Sequence, residues 1–240
     1  NTTASNNTAV GYQSQEANTT GDQNSSFGLH TLRFNTTGAD NTAVGHSALE
    51  ANTSASNNTA MGKNSLAANT TGANNVSVGR SALTTNTTGA SNVGIGFQAL
   101  YTNNASDNTA VGHNALFNNT SGTSNTAFGK SAGENLTTGA ENVAIGKGAL
   151  DSVTTGGENT GLGTSAGAGI TTGIRNIIIG KSAANHSPIL TEGNYNVVIG
   201  AYADTTAVDT EFAVAIGYDV SGAGGYTTVG QQTSDIRAQH

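Results

Sequence analysis

Residues 41–49 read NTAVGHSAL and residues 108–116 read NTAVGHNAL, the same stretch with one letter changed. Its glycine recurs at Gly11, Gly28, Gly45, Gly62, Gly79, Gly96, Gly112, Gly129, Gly146, Gly163, Gly180, Gly200 and Gly217. Every step is 17 residues except one of 16, Gly96 to Gly112, and one of 20, Gly180 to Gly200. So regular a period marks a structural unit stacked many times, not a site used twice.

Aligning the copies turns the chain into columns. The residue before the glycine is always apolar, from Val10 and Phe27 to Ile199 and Ile216. Two residues before that stands Thr, Ser, Val or Ile, and four after the glycine a mostly Leu column: Leu32, Leu49, Leu66, Leu83, Leu100, Leu116, Leu150. NTTG or a close variant joins the units, as at Asn35–Gly38 and Asn86–Gly89. T-x-V alternates with period two and favours β-branched residues, the pattern of a short half-buried strand. N-T-T-G is turn chemistry, with its glycine expected at positive φ. A helix does not tolerate Gly and Asn-Thr clusters at this density. The expected fold is therefore all-β: a parallel β-solenoid, or β-roll, of 17-residue turns. Residues 1–200 form its repetitive shaft, and 201–240 its last irregular repeats and C-terminal junction.

Rungs of such a coil lie ~4.8 Å apart, so identical residues sit above one another and an Asn at each level can build an amide ladder. Each turn hides few bulky side chains, whereas ordering its backbone costs on the order of 1–2 kcal/mol per residue. Two apolar columns, one before the glycine and one after it, imply a second buried surface. The expectation is a homotrimer, three coils packed side by side.

Bulk properties narrow the function. The net charge is −7 and charged residues make up 10% of the chain, which argues against nucleic acid as a partner, since phosphate contacts need clustered Lys and Arg. No apolar run approaches the ~20 residues of a membrane-spanning helix, so membrane insertion is not expected. There is no cysteine. The glycines fit neither the dinucleotide nor the P-loop pattern, and the calcium-binding nonapeptide is absent. No cofactor, metal or catalytic residue is expected, and the chain is not expected to be an enzyme. Asn1 begins partway through a turn, so further sequence is expected upstream.

The run N-[TV]-A-[VI]-G-x-x-A, as at Asn142–Gly146, and its variant at Ala213–Gly217, resembles the head repeats of trimeric autotransporter adhesins. The full NTAVGxxAL…NTTG unit is similar to repeats of long phage tail fibres that carry an endosialidase-type intramolecular chaperone. The resemblance covers about residues 1–217. It implies a left-handed parallel β-roll wound from three chains, an extracellular or virion-surface location, and attachment to a host or surface. The adhesin period is shorter than 17, so the cross-section should differ. The stretch TTVGQQTSDIRAQH (227–240) is similar to the segment preceding such a chaperone.

The residue after the repeat glycine varies, but with a bias: His46, Lys63, Arg80, Phe97, His113, Lys130, Lys147 and Lys181, with Tyr12 and Tyr218 near the ends. It holds five of the eight Lys and Arg residues. This column is the candidate recognition surface, for an acidic cell-surface glycan or a phosphate group. Read plainly, it is a solvated row balanced by acidic Glu16, Glu50, Glu134 and Asp151. A second candidate is a surface loop in the 20-residue turn, marked by His186, Pro188 and Tyr195. The repeat glycines, among them Gly45, Gly62, Gly79, Gly112, Gly129 and Gly146, are structural. Alternatives to a fibre segment are a soluble glycan-binding solenoid, an extracellular filament subunit, or an ice-binding solenoid using the threonine rows at Thr19, Thr36, Thr53, Thr70 and Thr87. The many N-x-[ST] triplets would matter only in a glycosylating host.

Overall fold

The structure, a computed structural model, describes residues 3–186, 190–231 and 236–239. The chain divides into two compact units, residues 1–121 and 122–240, and among the described residues neither contains a helix. Each unit is a parallel β-solenoid.

In the first unit the strands are β1 (Thr8–Val10), β2 (Ser25–Phe27), β3 (Thr42–Val44), β4 (Thr59–Met61), β5 (Val76–Val78), β6 (Val93–Ile95) and β7 (Thr109–Val111). Each pairs in parallel with the next, and the register follows the repeat, Thr42 with Thr59 and Val44 with Met61. The second unit holds β8 (Thr126–Phe128), β9 (Val143–Ile145), β10 (Thr160–Leu162), β11 (Ile177–Ile179) and β12 (Val197–Ile199). Its parallel ladder runs on through β14 (Val214–Tyr218) and β16 (Tyr226–Gln231), beyond β13 (Asp204–Thr205) and β15 (Ser221–Gly222), which pair with each other. Gly217 pairs with Gly230, so a further repeat glycine follows a short step of 13 residues. Strand β17 (Ile236–Gln239) then turns back antiparallel to β16.

The interior is filled by the leucine column and by the middle residue of each strand from β2 to β12. Leu32, Leu49, Leu66, Leu83, Ala43, Ala60 and Ala110 are all fully buried. The column before the glycine is not inside the coil: Val10, Phe27, Met61, Ile95, Phe128, Ile145 and Leu162 face solvent, Met61 at 44% exposure. Alternation fixes that every second residue points inward, but not which set does. Interior size decides. A Cβ at Gly94 would sit 3.2 Å from Leu83 Cδ1, so only Ala, Ser or Gly fits opposite a leucine. Where the leucine is replaced by Gly167 or Ala184, the facing strand residues become Ile178 and Val198, both buried.

Each leucine carries a cost. Leu32, Leu49, Leu66, Leu83, Leu100, Leu116 and Leu150 lie at φ between 49° and 53°, in the left-handed region. That conformation costs an L-residue roughly 1–2 kcal/mol, while burying a leucine contributes about 1.5–3 kcal/mol. Burial wins narrowly, helped by the ladder bonds. Positive φ also occurs two residues after the repeat glycine, as at Ser47 and Asn64, and five before it, as at Asp40 and Asn57. These corners turn N–H groups alternately to the two neighbouring rungs: Ser47 N donates to Leu29 O at 2.9 Å, and Leu49 N to Ser65 O at 3.1 Å.

The NTTG glycine behaves differently from the expectation. Gly21, Gly38, Gly72 and Gly89 are not at positive φ. Small size is what matters there, because the backbone of the next rung lies against them, and Ala55 and Ala105 fill the same column.

Both asparagine columns form amide ladders. Asn41 Nδ2 donates to Asn24 Oδ1 at 3.1 Å, and Asn52 Nδ2 to Asn35 Oδ1 at 2.8 Å, all with fully buried side chains. Such buried amides are stabilising where they are paired; Asn58 breaks the first ladder, its Nδ2 buried without a hydrogen-bond partner. In the second unit one ladder continues, with Asn176 Nδ2 donating to Asn159 Oδ1 at 3.0 Å. The other is replaced by buried Leu136, Val153, Ile170 and Leu190. The 16-residue turn is repaired by a side chain. Elsewhere Thr36 N and Thr37 N both donate to the Thr53 carbonyl. In the short turn Asn104 Oδ1 takes that carbonyl's place, accepting from Thr87 N and Thr88 N at 3.0 Å each.

Candidate functional site

Each residue of the variable column follows a glycine at positive φ, which carries the chain off the strand and turns its side chain outward. In the first unit His46, Lys63, Arg80 and His113 are exposed and Phe97 is half-buried. Three of them meet on consecutive rungs. Arg80 Cζ lies 4.9 Å from the Phe97 ring centre, and the Phe97 and His113 rings stack at 5.1 Å with 30° between their planes. Both faces of Phe97 are thus occupied. His46 lies 6.1 Å from His30, which in turn lies 6.0 Å from Tyr12.

In the second unit Lys130, Lys147 and Lys181 are exposed. Lys181 Nζ lies 5.5 Å from the Tyr202 ring centre, and the Tyr202 side chain beside it raises the ammonium pKa. Tyr202 meets Tyr218 edge-on at 6.0 Å.

The acidic column does not balance the basic one in the first unit. Glu16 is bound by Arg33, Nε to Oε2 at 2.9 Å, within its own column, and this pair lowers the Glu16 pKa. Glu50 lies 3.8 Å from His30. The same column contains a ring stack that alignment of its acidic members alone passes over: Tyr101 and Phe117, 5.2 Å apart and within 5° of parallel. Their 16-residue spacing, straddling the short turn, was the available signal. In the second unit burial raises the Asp151 pKa.

Of the three residues in the candidate loop, Pro188 lies outside the described residues. His186 is exposed, and its backbone N donates to Asp204 Oδ2 at 2.6 Å. Tyr195 is exposed, in the bend just before β12. It occupies a regular positive-φ corner, stacks on Phe212 at 5.1 Å, and its hydroxyl accepts from Arg175 Nη1 at 2.7 Å. Asp204 itself stands where the repeat places a core leucine, four residues after Gly200. It is buried, accepts from Thr205 N at 2.8 Å as well, and burial pushes its pKa up to about 6.

The threonine rows split into two roles. Thr36, Thr53 and Thr70 are half-buried and their hydroxyls donate to the carbonyls of Thr53, Thr70 and Thr87 at 2.9–3.1 Å. Their partners Thr37, Ser54, Thr71 and Thr88 are exposed. The asparagines of most N-x-[ST] triplets, Asn35, Asn52, Asn69 and Asn86 among them, are buried in a ladder. Among the described residues no three His, Asp or Glu side chains converge on one point. Comparison of the chain with protein-family models, with curated proteins and with solved structures finds no match.

Proposed function

We propose that the chain is a segment of a self-assembling structural fibre, the shaft of a phage tail fibre or of a bacterial surface adhesin, working by spacing and multivalent attachment outside the cell. The observation that carries this reading is the outward apolar column. Phe27, Met61 and Ile95 in one unit, and Phe128, Ile145 and Leu162 in the other, are between 37% and 57% exposed at the same place on their rungs. A contiguous apolar stripe of this kind marks an interaction surface. Because like residues recur at each level, a second copy in register covers them with their own kind, the geometry of a closed symmetric homo-oligomer. Three chains is the number that the resemblance to adhesin and tail-fibre repeats implies.

The ice-binding alternative keeps only one of its two threonine rows, since the inner hydroxyls are spent on the ladder. The test of the fibre reading is to charge the stripe. Met61→Lys with Ile95→Lys, both on outward positions, should leave the circular dichroism of the fold unchanged while dissociating the assembly in sedimentation. An unchanged sedimentation coefficient would remove the stripe from the account.

A further inference from the structure

We propose that the ridge Lys63–Arg80–Phe97–His113 is a docking track for an acidic oligosaccharide lying along the rungs. The protein treats its cations unequally. Arg33 and Arg175 are each bound to a carboxylate, Glu16 and Glu158, at 2.9 Å. Among the described residues no hydrogen bond or ion pair engages the Lys63 ammonium or the Arg80 guanidinium. These are unneutralised cations on adjacent rungs of a chain whose net charge is −7. The column beside them carries Asn64, Ser81, Gln98 and Asn114, so no carboxylate of that column competes.

The sandwich on Phe97 prepares Arg80 for an anion. With the ring 4.9 Å from Cζ, one side of the guanidinium is covered, and a cation resting on a ring has less freedom to lose on binding. Its remaining N–H donors suit a carboxylate or sulfate oxygen pair. The half-buried amides of Asn64 and Gln98 can exchange hydrogen bonds with sugar hydroxyls. Successive cations are offered at the rung repeat of ~4.8 Å, a step close to the length of one sugar ring. Single-stranded nucleic acid is the poorer fit, because its bases need open ring faces and Arg80 and His113 close both faces of Phe97. The assignment is independent of self-association, since it uses the column after the glycine and not the one before it.

Titration of the full chain with tetragalacturonate and a heparin tetrasaccharide, with maltotetraose and oligo(dT) alongside, tests it. The expected result is binding of an acidic tetrasaccharide that weakens with salt, none of maltotetraose, and weaker binding of oligo(dT). Lys63→Met with Arg80→Met should reduce affinity about tenfold or more. Arg80→Lys should give a smaller loss, and Arg33→Met, which removes a charge elsewhere in the same unit, no change. Melting curves of the variants should match the parent, since both side chains are exposed, and sedimentation of the same samples reports self-association separately. No heat with either acidic tetrasaccharide up to about 10 mM, equal losses in Arg33→Met, or oligo(dT) binding as tightly through the same residues would each overturn the proposal.

Discussion

At the repeat glycine two constraints coincide. Gly146 has φ +131°, and a Cβ there would lie 2.6 Å from the Gly163 carbonyl carbon. Gly139, in the NTTG column, has no positive φ; a Cβ there would press on the Gly156 carbonyl, a contact that the alanines at 55 and 105 show the column relaxes to admit. Gly146→Ala should therefore destabilise the second unit by about 3 kcal/mol or more, and Gly139→Ala by less, about 1–3 kcal/mol, compared by denaturant unfolding. Recurrence made both glycines visible in the sequence, but not their different reasons, because a letter does not record φ. Asp204 is a second single-residue case. Its folded pKa of about 6 exceeds the ordinary 3.8, so the folded form binds the proton more tightly. Stability from this group is then greatest below about pH 4 and is lost as pH rises through 6. Asp204→Asn should flatten the pH dependence of the second unit's melting between pH 4 and 7, with little net gain at pH 7.5, because its single acceptor oxygen leaves one of the two N–H groups of His186 and Thr205 unpaired. An unchanged pH profile would show that Asp204 is not the titrating group. Only its place in the leucine column marks it in the sequence.

The element is the rung, and its logic is a size trade between the leucine column and the middle of the next strand. Leu49 faces Ala60 as Ala184 faces Val198, a large residue against a small one in the first pair and a small one against a larger in the second. Leu49→Ala should cost about 2–4 kcal/mol through the cavity, and Ala60→Val about 1–3 kcal/mol through overpacking. The double variant should recover about 1–2 kcal/mol of their sum. Strict additivity in that cycle would mean that the two side chains do not share one space. The period, the strands and the amide ladders were legible because stacking forces equivalent residues into columns. The inward face was not, since T-A-V alternates equally well in either sense and only the partner leucine breaks the tie. Nor did the sequence reveal the left-handed leucines, for leucine is the last residue that local propensity places there. They follow from packing, which sequence-local reasoning does not see.

For the whole molecule, the outward apolar column of the strands decides where any further burial can come from. With the valine column outside, rungs of the first unit keep mainly leucine, alanine and asparagine within, the second unit adds Val153, Ile170, Ile178 and Val198, and the residues before the repeat glycines stay partly exposed. The basic residues after the glycine then form a separate ridge, so the proposed assembly and recognition surfaces use different columns of one repeat. The ridge's composition and its neutral neighbouring column were readable by counting, but its stacked geometry on Phe97 needed the fold. The most direct measurement is sedimentation equilibrium of the unmodified chain, of 23.8 kDa, at micromolar concentration. A homotrimer, three times 23.8 kDa, is the predicted mass; a monodisperse 23.8 kDa species would contradict the fibre account.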